Sequence, residues 1–245
     1  MKGVLLAGGV GTRLKPCTDV TNKHMLPVYN RPMIYHPLKK LYDSGIRDVL
    51  VISGGEHLGD IAEQLKSGKA LSVGRERFPL DLTYRVQDNP DGIAGALSLA
   101  KSYVGGERFA VILGDNIFQE DLSQYASDFQ RDGRHQAYIF LKRVPDANRF
   151  GVATVRGGKI SGIVEKPKGD LPGMAVTGLY FYTPAVFDVI DRLHPSARGE
   201  LEITDVNNAF VRKKTLDFRV LSGEWTDAGT PESLYRAAVQ VRGKK

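Results

Sequence analysis

The sequence of 245 residues predicts an α/β protein with a mostly parallel central sheet and helices on both faces. Three observations carry that expectation. Short apolar runs alternate with helix-period segments through the first half of the chain. Those runs are nearly continuous, as strands buried on both faces must be. The first of them opens into the loop Gly8-Gly9-Val10-Gly11-Thr12-Arg13. The architecture expected is therefore Rossmann-like, with a β-rich part added in the second half.

Taken in order, residues 4–7 have the length and composition of a buried strand. Helical spacing follows over 33–42, which Pro32 is suited to start. Strand 48–53, helix 58–65, strand 82–86, helix 93–103 and the apolar strand Phe109–Leu113 complete the alternating half. Beyond residue 135 the texture changes. Close-spaced strands are expected at 137–141, 151–155, 159–164 and 176–182, with Gly157-Gly158 as a hairpin turn. Helices at 184–193 and 203–213, a strand at 216–221 and a last helix from Pro231 follow. No repeat or low-complexity linker separates the two textures. Residues 1–245 are expected to form a single domain, one half about 1–135 and the other about 136–245.

Composition narrows the function classes. No stretch approaches the roughly 20 apolar residues of a membrane span, and the N-terminal apolar run is too short for a signal-peptide core. The single cysteine, Cys17, excludes an internal disulfide and suits a reducing, cytoplasmic setting. A net charge of +6 fits anionic substrates and also nucleic acid. The most basic runs, however, are Arg212-Lys213-Lys214 and the tail Arg242, Lys244 and Lys245. They fall at a helix C-terminus and a chain end, where cations complement the helix dipole. Nucleic acid is not expected as a partner.

The glycine loop points to phosphate. Glycines let the backbone approach a ligand with its N–H groups turned inward, and Arg13 adds a planar donor fork. The plain alternative is a tight strand-to-helix turn with a solvated arginine. Two familiar phosphate loops do not fit: the dinucleotide fingerprint requires glycine where Leu14 stands, and no Gly-Lys-Ser/Thr run occurs. Ligands of parallel sheets bind beyond the carboxyl ends of the strands, where this loop, Gln87 and Asp115 all fall. The plain reading of Asp115, in Gly114-Asp115-Asn116, is an Asx cap.

The loop, read on through Pro16, Thr18, Lys23, Leu26-Pro27 and Arg31-Pro32-Met33-Ile34, resembles the sugar-1-phosphate nucleotidyltransferases. Further blocks follow in that family's order: Val86-Gln87 with Pro90-Asp91-Gly92, Gly114-Asp115-Asn116, Arg149-Phe150-Gly151-Val152, Glu165-Lys166-Pro167, and Val176 to Tyr180. Arg198 to Asp205 and Trp225 to Thr230 close the series, so the likeness spans nearly the whole chain. It is strongest toward members that join dTTP to glucose 1-phosphate, with UTP or another hexose 1-phosphate as the alternative. The resemblance implies a β-rich sugar-binding part, a magnesium cofactor and a homo-oligomer, with no nucleic-acid or membrane partner.

Roles follow from the resemblance residue by residue. Leu6, Ala7, Gly8, Gly9, Gly11, Thr12, Arg13, Gln87, Gly92 and Asp115 hold the nucleotide. Arg13, Lys23 and Lys166 are the catalytic cations, facing the leaving phosphates, the reacting centre and the sugar phosphate in turn. Gly151, Glu165, Lys166, Val176, Gly178 and Thr204 line the sugar, and Asp115 and Asp227 bind magnesium. The chemistry of the side chains agrees. Gln87 offers a donor and an acceptor to thymine or uracil without separating them, and Glu165 can accept from sugar hydroxyls. A solvated Glu-Lys pair is the plain alternative at 165–166. A phosphate monoester with a second pKa of about 6 is already ionised, so no general base is required. His24, His36, His57, His135 and His194 have no ligand-like spacing and read as structural or surface residues.

Overall fold

The protein is described by a computed structural model over residues 1–169 and 172–243, so Lys244 and Lys245 of the basic tail lie outside the described residues. The first half carries β1 (Lys2–Leu6), the hairpin of β2 (Pro27–Val28) and β3 (Arg31–Pro32), α1 (Tyr35–Asp43), β4 (Asp48–Gly54) and α2 (Gly55–Leu65). It continues with a second hairpin, β5 (Ser72–Val73) and β6 (Glu76–Arg77), then β7 (Asp81–Gln87), α3 (Gly92–Ser98), α4 (Lys101–Val104) and β8 (Phe109–Leu113). The second half holds β9 (Asn116–Phe118), α5 (Ser123–Arg131), β10 (Ala137–Val144), β11 (Gly151–Arg156), β12 (Lys159–Glu165) and β13 (Gly173–Tyr182). It ends with α6 (Ala185–Ile190), α7 (Ile203–Arg212), β14 (Leu216–Val220), β15 (Trp225–Asp227) and α8 (Pro231–Arg242).

Strands β7, β4, β1 and β8 form a parallel block in that spatial order. The β-rich half does not sit apart from it. Strand β13 pairs antiparallel with the free edge of β8, and β11 and β12 continue beyond. Strand β10 also pairs with β13, and β14 lies parallel on β10. Among the described residues these nine strands form one sheet.

The apolar runs predicted as strands feed two cores. On β8, Phe109 and Val111 enter one core and Ala110 and Ile112 the other, as period-two alternation requires of a strand covered on both faces. A third, smaller cluster gathers Leu14, Leu26, Val28, Met33, Ile117, Ala228 and Ala237. It ties the glycine loop, the first hairpin, the β9–β15 pair and α8 together, and so braces the site. Helix α8 starts on a capping box between Thr230 and Ser233 with Pro231 in the first turn. That start follows Asp227 by only a few residues.

Several expectations needed adjustment. Pro32 pairs in the β2–β3 hairpin instead of opening a helix, so α1 begins at Tyr35. The helix expected over 93–103 is two helices, because the chain tightens at 99–100, where Leu99 and Ala100 donate to the carbonyls of Ala96 and Leu97. The helix expected over 184–193 ends at Ile190. Helix α5 and the short strands β2, β3, β5, β6, β9 and β15 were not expected. Among the described residues no helix is long and apolar enough to cross a membrane.

Candidate active site

Two short strands build the centre of the site. Strands β9 and β15 pair antiparallel with Asp227 opposite Asn116, and Ala228 N donates to the Asp115 carbonyl at 2.7 Å. This pairing brings Asp115 and Asp227 to one wall of a 680 Å³ cavity. Each carboxylate already has a cation. Lys23 Nζ donates to Asp115 Oδ2 at 2.6 Å, and Arg149 Nη2 to Asp227 Oδ2 at 2.7 Å. Asn116 fastens the centre from behind. Its Nδ2 donates to Asp115 Oδ1 at 2.8 Å, while its Oδ1 accepts from Gly178 N at 2.9 Å and Trp225 Nε1 at 2.7 Å.

The two carboxyls are tuned in opposite directions. Burial alone would push Asp115 up, but the adjacent Lys23 ammonium outweighs it and holds this carboxyl well below the usual range. Burial pushes Asp227 up to about 6, against the pull of Arg149 and with the Asp115 charge adding to the rise. His24, buried beside Asp115, is lowered to about 3 by desolvation and then by Lys23, so it is neutral at pH 7.

The glycine loop wraps the stem of Lys23. Gly11 sits at φ 74°, and a methyl there would lie 2.8 Å from Lys23 Cβ and 2.9 Å from Thr18 Cγ2. Thr18 Oγ1 donates back to the Gly11 carbonyl at 2.9 Å. Arg13, in the one-turn helix that follows, reaches across the cavity: a methyl on Gly229 would stand 3.1 Å from Arg13 Nη2 and 3.5 Å from Asp227 Oδ2.

Opposite lie Gly151, Glu165, Lys166, Val176, Gly178 and Thr204, all lining the same cavity. Thr204 Oγ1 donates to Glu165 Oε2 at 2.5 Å, and Gly151 leaves the room for that bond. Lys166 stands in the left-handed region at φ 42°, with Nζ 3.9 Å from Glu165 Oε1. Arg198 pairs with Glu202 at 2.8 Å and reaches to 3.8 Å from Glu165.

An adjoining cavity of 290 Å³ is lined by Leu6, Gly8, Gln87 and Gly92, and shares Gly9, Lys23 and Asp115 with the first. Gln87 Nε2 donates to Asp91 Oδ1 at 2.7 Å, so part of its donor capacity is used within the protein. Thr12 lines the large cavity. Ala7 lines neither cavity. It is fully buried, its N–H donates to Ile52 O at 2.7 Å, and its carbonyl accepts from Ser53 Oγ at 2.9 Å.

Sequence reasoning singled out neither Arg149 nor Arg198, nor Asn116, Tyr180 or Trp225, all of which line the large cavity. The signal available was position, since each falls inside a block that the resemblance had marked.

The nucleotidyl transferase family model matches residues 2–244. This chain belongs to that family. Among curated relatives, glucose-1-phosphate thymidylyltransferase of Neisseria meningitidis serogroup A is 39% identical over 99% of this chain and 83% of its own length. The enzyme of the same name from Xanthomonas campestris pv. campestris is 42% identical over 97% of this chain and 79% of its own. A Bacillus anthracis crystal structure, described provisionally as a glucose-1-phosphate thymidylyltransferase in complex with a sucrose, superposes with a TM-score of 0.92. It is 48% identical and covers 100% of this chain and 96% of that one.

In this nucleotidyltransferase the donor chemistry suits a divalent cation. Asp115 and Asp227 are hard oxygen donors, and each is now neutralised by a side chain that a cation could replace. No group of three or more His, Cys, Asp or Glu able to hold a metal occurs among the described residues. A cation held here would take its other ligands from water and substrate oxygens, which is how magnesium is usually bound.

Proposed function

We propose that this nucleotidyltransferase joins dTTP to α-D-glucose 1-phosphate, giving dTDP-glucose and pyrophosphate. The observation that carries the proposal is the convergence on one cavity of Asp115 and Asp227, the cations Arg13 and Lys23, and the Glu165–Thr204 pair. The names of the relatives at 39% and 42% identity support the choice of base and sugar.

The ionised phosphate of the sugar needs no base to attack the α-phosphorus of the nucleotide. Lys166 holds that phosphate, and Glu165, kept in orientation by Thr204, accepts from hydroxyls of the hexose. Lys23 turns from Asp115 to the α-phosphate as nucleotide enters. Arg13 receives the departing pyrophosphate, so charge is neutralised where it develops. Asp115 and Asp227 would hold magnesium, which when bound would polarise phosphate oxygens. The glycine loop supplies backbone donors, and Gln87 faces the base. The proposal includes a cytoplasmic homo-oligomer, supported by the exposed lone Cys17 and by the family resemblance.

The Gln87 amide suits uracil as well as thymine, which favours a UTP-dependent enzyme as the second reading. Pyrophosphate release measured over a panel of nucleoside triphosphates and hexose 1-phosphates separates the two. The highest kcat/KM is expected for dTTP with glucose 1-phosphate in magnesium; a preference for UTP selects the second reading, and no release with any pair refutes both. Asp115→Asn and Asp227→Asn should each abolish turnover with strongly non-additive effects, because either loss dismantles the same site.

A further inference from the structure

We infer that Asp91 is a positioning residue that selects the nucleobase by fixing which way the Gln87 amide faces. The inference rests on the reading that Gln87 meets the base in the smaller cavity. A glutamine amide is nearly symmetric in shape, and a half-turn exchanges its acceptor for its donor. Left to rotate, it would serve thymine and cytosine alike. The group that holds the amide therefore decides the base.

The hold comes from outside the cavity. Gln87 ends β7, where it stands opposite Gly54 of β4. Its Nε2 donates to Asp91 Oδ1 at 2.7 Å, and Asp91 lines neither cavity. A carboxylate only accepts, so the amide atom facing Asp91 has to be the nitrogen. The flipped amide would set two acceptor oxygens against each other, one of them charged. The amide oxygen is sent the other way. A methyl on Gly8 would stand 2.7 Å from Gln87 Oε1, which places this acceptor over the glycine loop, on the cavity wall that Gly8 and Gln87 share.

Asp91 is itself seated. Its N–H donates to Asn89 O at 2.9 Å, and its carbonyl accepts from Leu201 N at 2.8 Å. It occupies the N-cap position of α3, yet its side chain makes no capping bond, which leaves the carboxylate to Gln87. Gly95, buried one turn on, gives the carboxyl its place. A methyl there would stand 2.3 Å from Asp91 Cγ and Oδ1 and 2.4 Å from Oδ2. An amide oxygen held toward the cavity is matched by the N3–H of thymine or uracil. Cytosine has an acceptor at N3 and carries its donor on the exocyclic amine, so two lone pairs would meet. Asp91 thus excludes cytosine without touching it and leaves thymine and uracil equal.

Asp91→Asn replaces the carboxylate by an amide that partners Gln87 in either orientation. The deciding measurement is kcat/KM with glucose 1-phosphate for dTTP, dUTP and dCTP, since dUTP and dCTP differ only at the edge that Gln87 reads. The dUTP-to-dCTP ratio should fall at least roughly tenfold in the variant, the lower end of what a hydrogen bond to a charged group is worth. The dTTP-to-dUTP ratio and KM for glucose 1-phosphate should stay unchanged. A merely structural role would lower all three nucleotides together. Gly95→Ala displaces the carboxyl by a second route while alanine suits a helix interior, and it should move the ratio in the same direction. In a Gln87→Met background, Asp91→Asn should leave the ratio untouched, because the group it acts through is gone. An unchanged ratio in Asp91→Asn, or equal losses on all three nucleotides, overturns the inference; should that variant not fold, Gly95→Ala decides by the same two criteria. Native enzyme that releases no pyrophosphate with any of the three refutes the reaction itself and this inference with it; native turnover with an unchanged ratio refutes Asp91 alone.

Discussion

Replacing Gly178 with alanine tests how tightly the reacting centre is built. The added carbon would stand 2.6 Å from Asn116 Cγ and Oδ1 and 2.7 Å from Nδ2. It meets the plane of an amide that is 3% exposed and has three hydrogen bonds. Reaching the 3.4 Å of an ordinary contact requires a retreat of about 0.8 Å. Strand β13 is anchored on either side, by Val176 opposite Leu141 and Leu179 opposite Ile112, so most of the retreat falls to the side chain. Asn116 must move, and it carries Asp115 and the Trp225 indole with it. Overpacking of this kind costs about 1–3 kcal/mol of stability. A misplacement near 1 Å at a reacting centre costs about a hundredfold in rate. Gly178→Ala is therefore expected to stay folded and to lose between tenfold and a hundredfold in kcat, read by continuous pyrophosphate release beside a thermal melt. Adding Asn116→Ala removes the clash but leaves Gly178 N and Trp225 Nε1 without their acceptor, so neither stability nor rate should return. Gly178→Ala with kcat within threefold of native would refute the reasoning, because Asn116 would then not transmit the displacement.

Three further outcomes are expected. Arg13→Ala should lower turnover at least roughly tenfold, the worth of a charged hydrogen bond, with a nearly unchanged melting temperature, since the loop is held by Gly11 and Thr18; near-native turnover would remove Arg13 from the site. Lys166→Ala should raise KM for the sugar phosphate while calorimetric affinity for dTTP stays the same, and the reverse pattern would exchange its assignment. Asp132, far from the cavity, accepts from Arg134 N, His135 N, His135 Nδ1 and Tyr138 Oη; burial opposes its charge, but these bonds win and hold its carboxyl below the usual range. A depressed pKa contributes stability above the unfolded value near 3.9 that is lost as pH falls through the folded one. Asp132→Asn should cost about 1.5–3 kcal/mol at pH 7 and progressively less below pH 4, by urea unfolding at each pH; a gap independent of pH would count against it.

What could be read beforehand follows a physical line. Strand β8 was legible to the residue because Phe109 to Leu113 is an unbroken apolar run covered on both faces. Strands β9 and β15 were not, because three residues are too few to show a period. Yet their pairing is what joins Asp115 to Asp227, and only the family resemblance anticipated that meeting. Arg149 was marked only by its place in a family block, and its pairing was not legible: its partner Asp227 lies 78 residues on, and nothing near either position announces the other.

The junction between β8 and β13 has a consequence for how the chain can be divided. A fragment ending near residue 135 would keep the parallel block but strip β13 from β8, leaving unpaired the edge from Phe109 to Ile112. All four of those residues are fully buried in the intact protein. A flat apolar edge of that kind recruits other strands. The complementary fragment would own β13 without the strand it leans on. The two pieces are thus complements and not modules: produced separately they should aggregate, and produced together they should find each other by edge pairing.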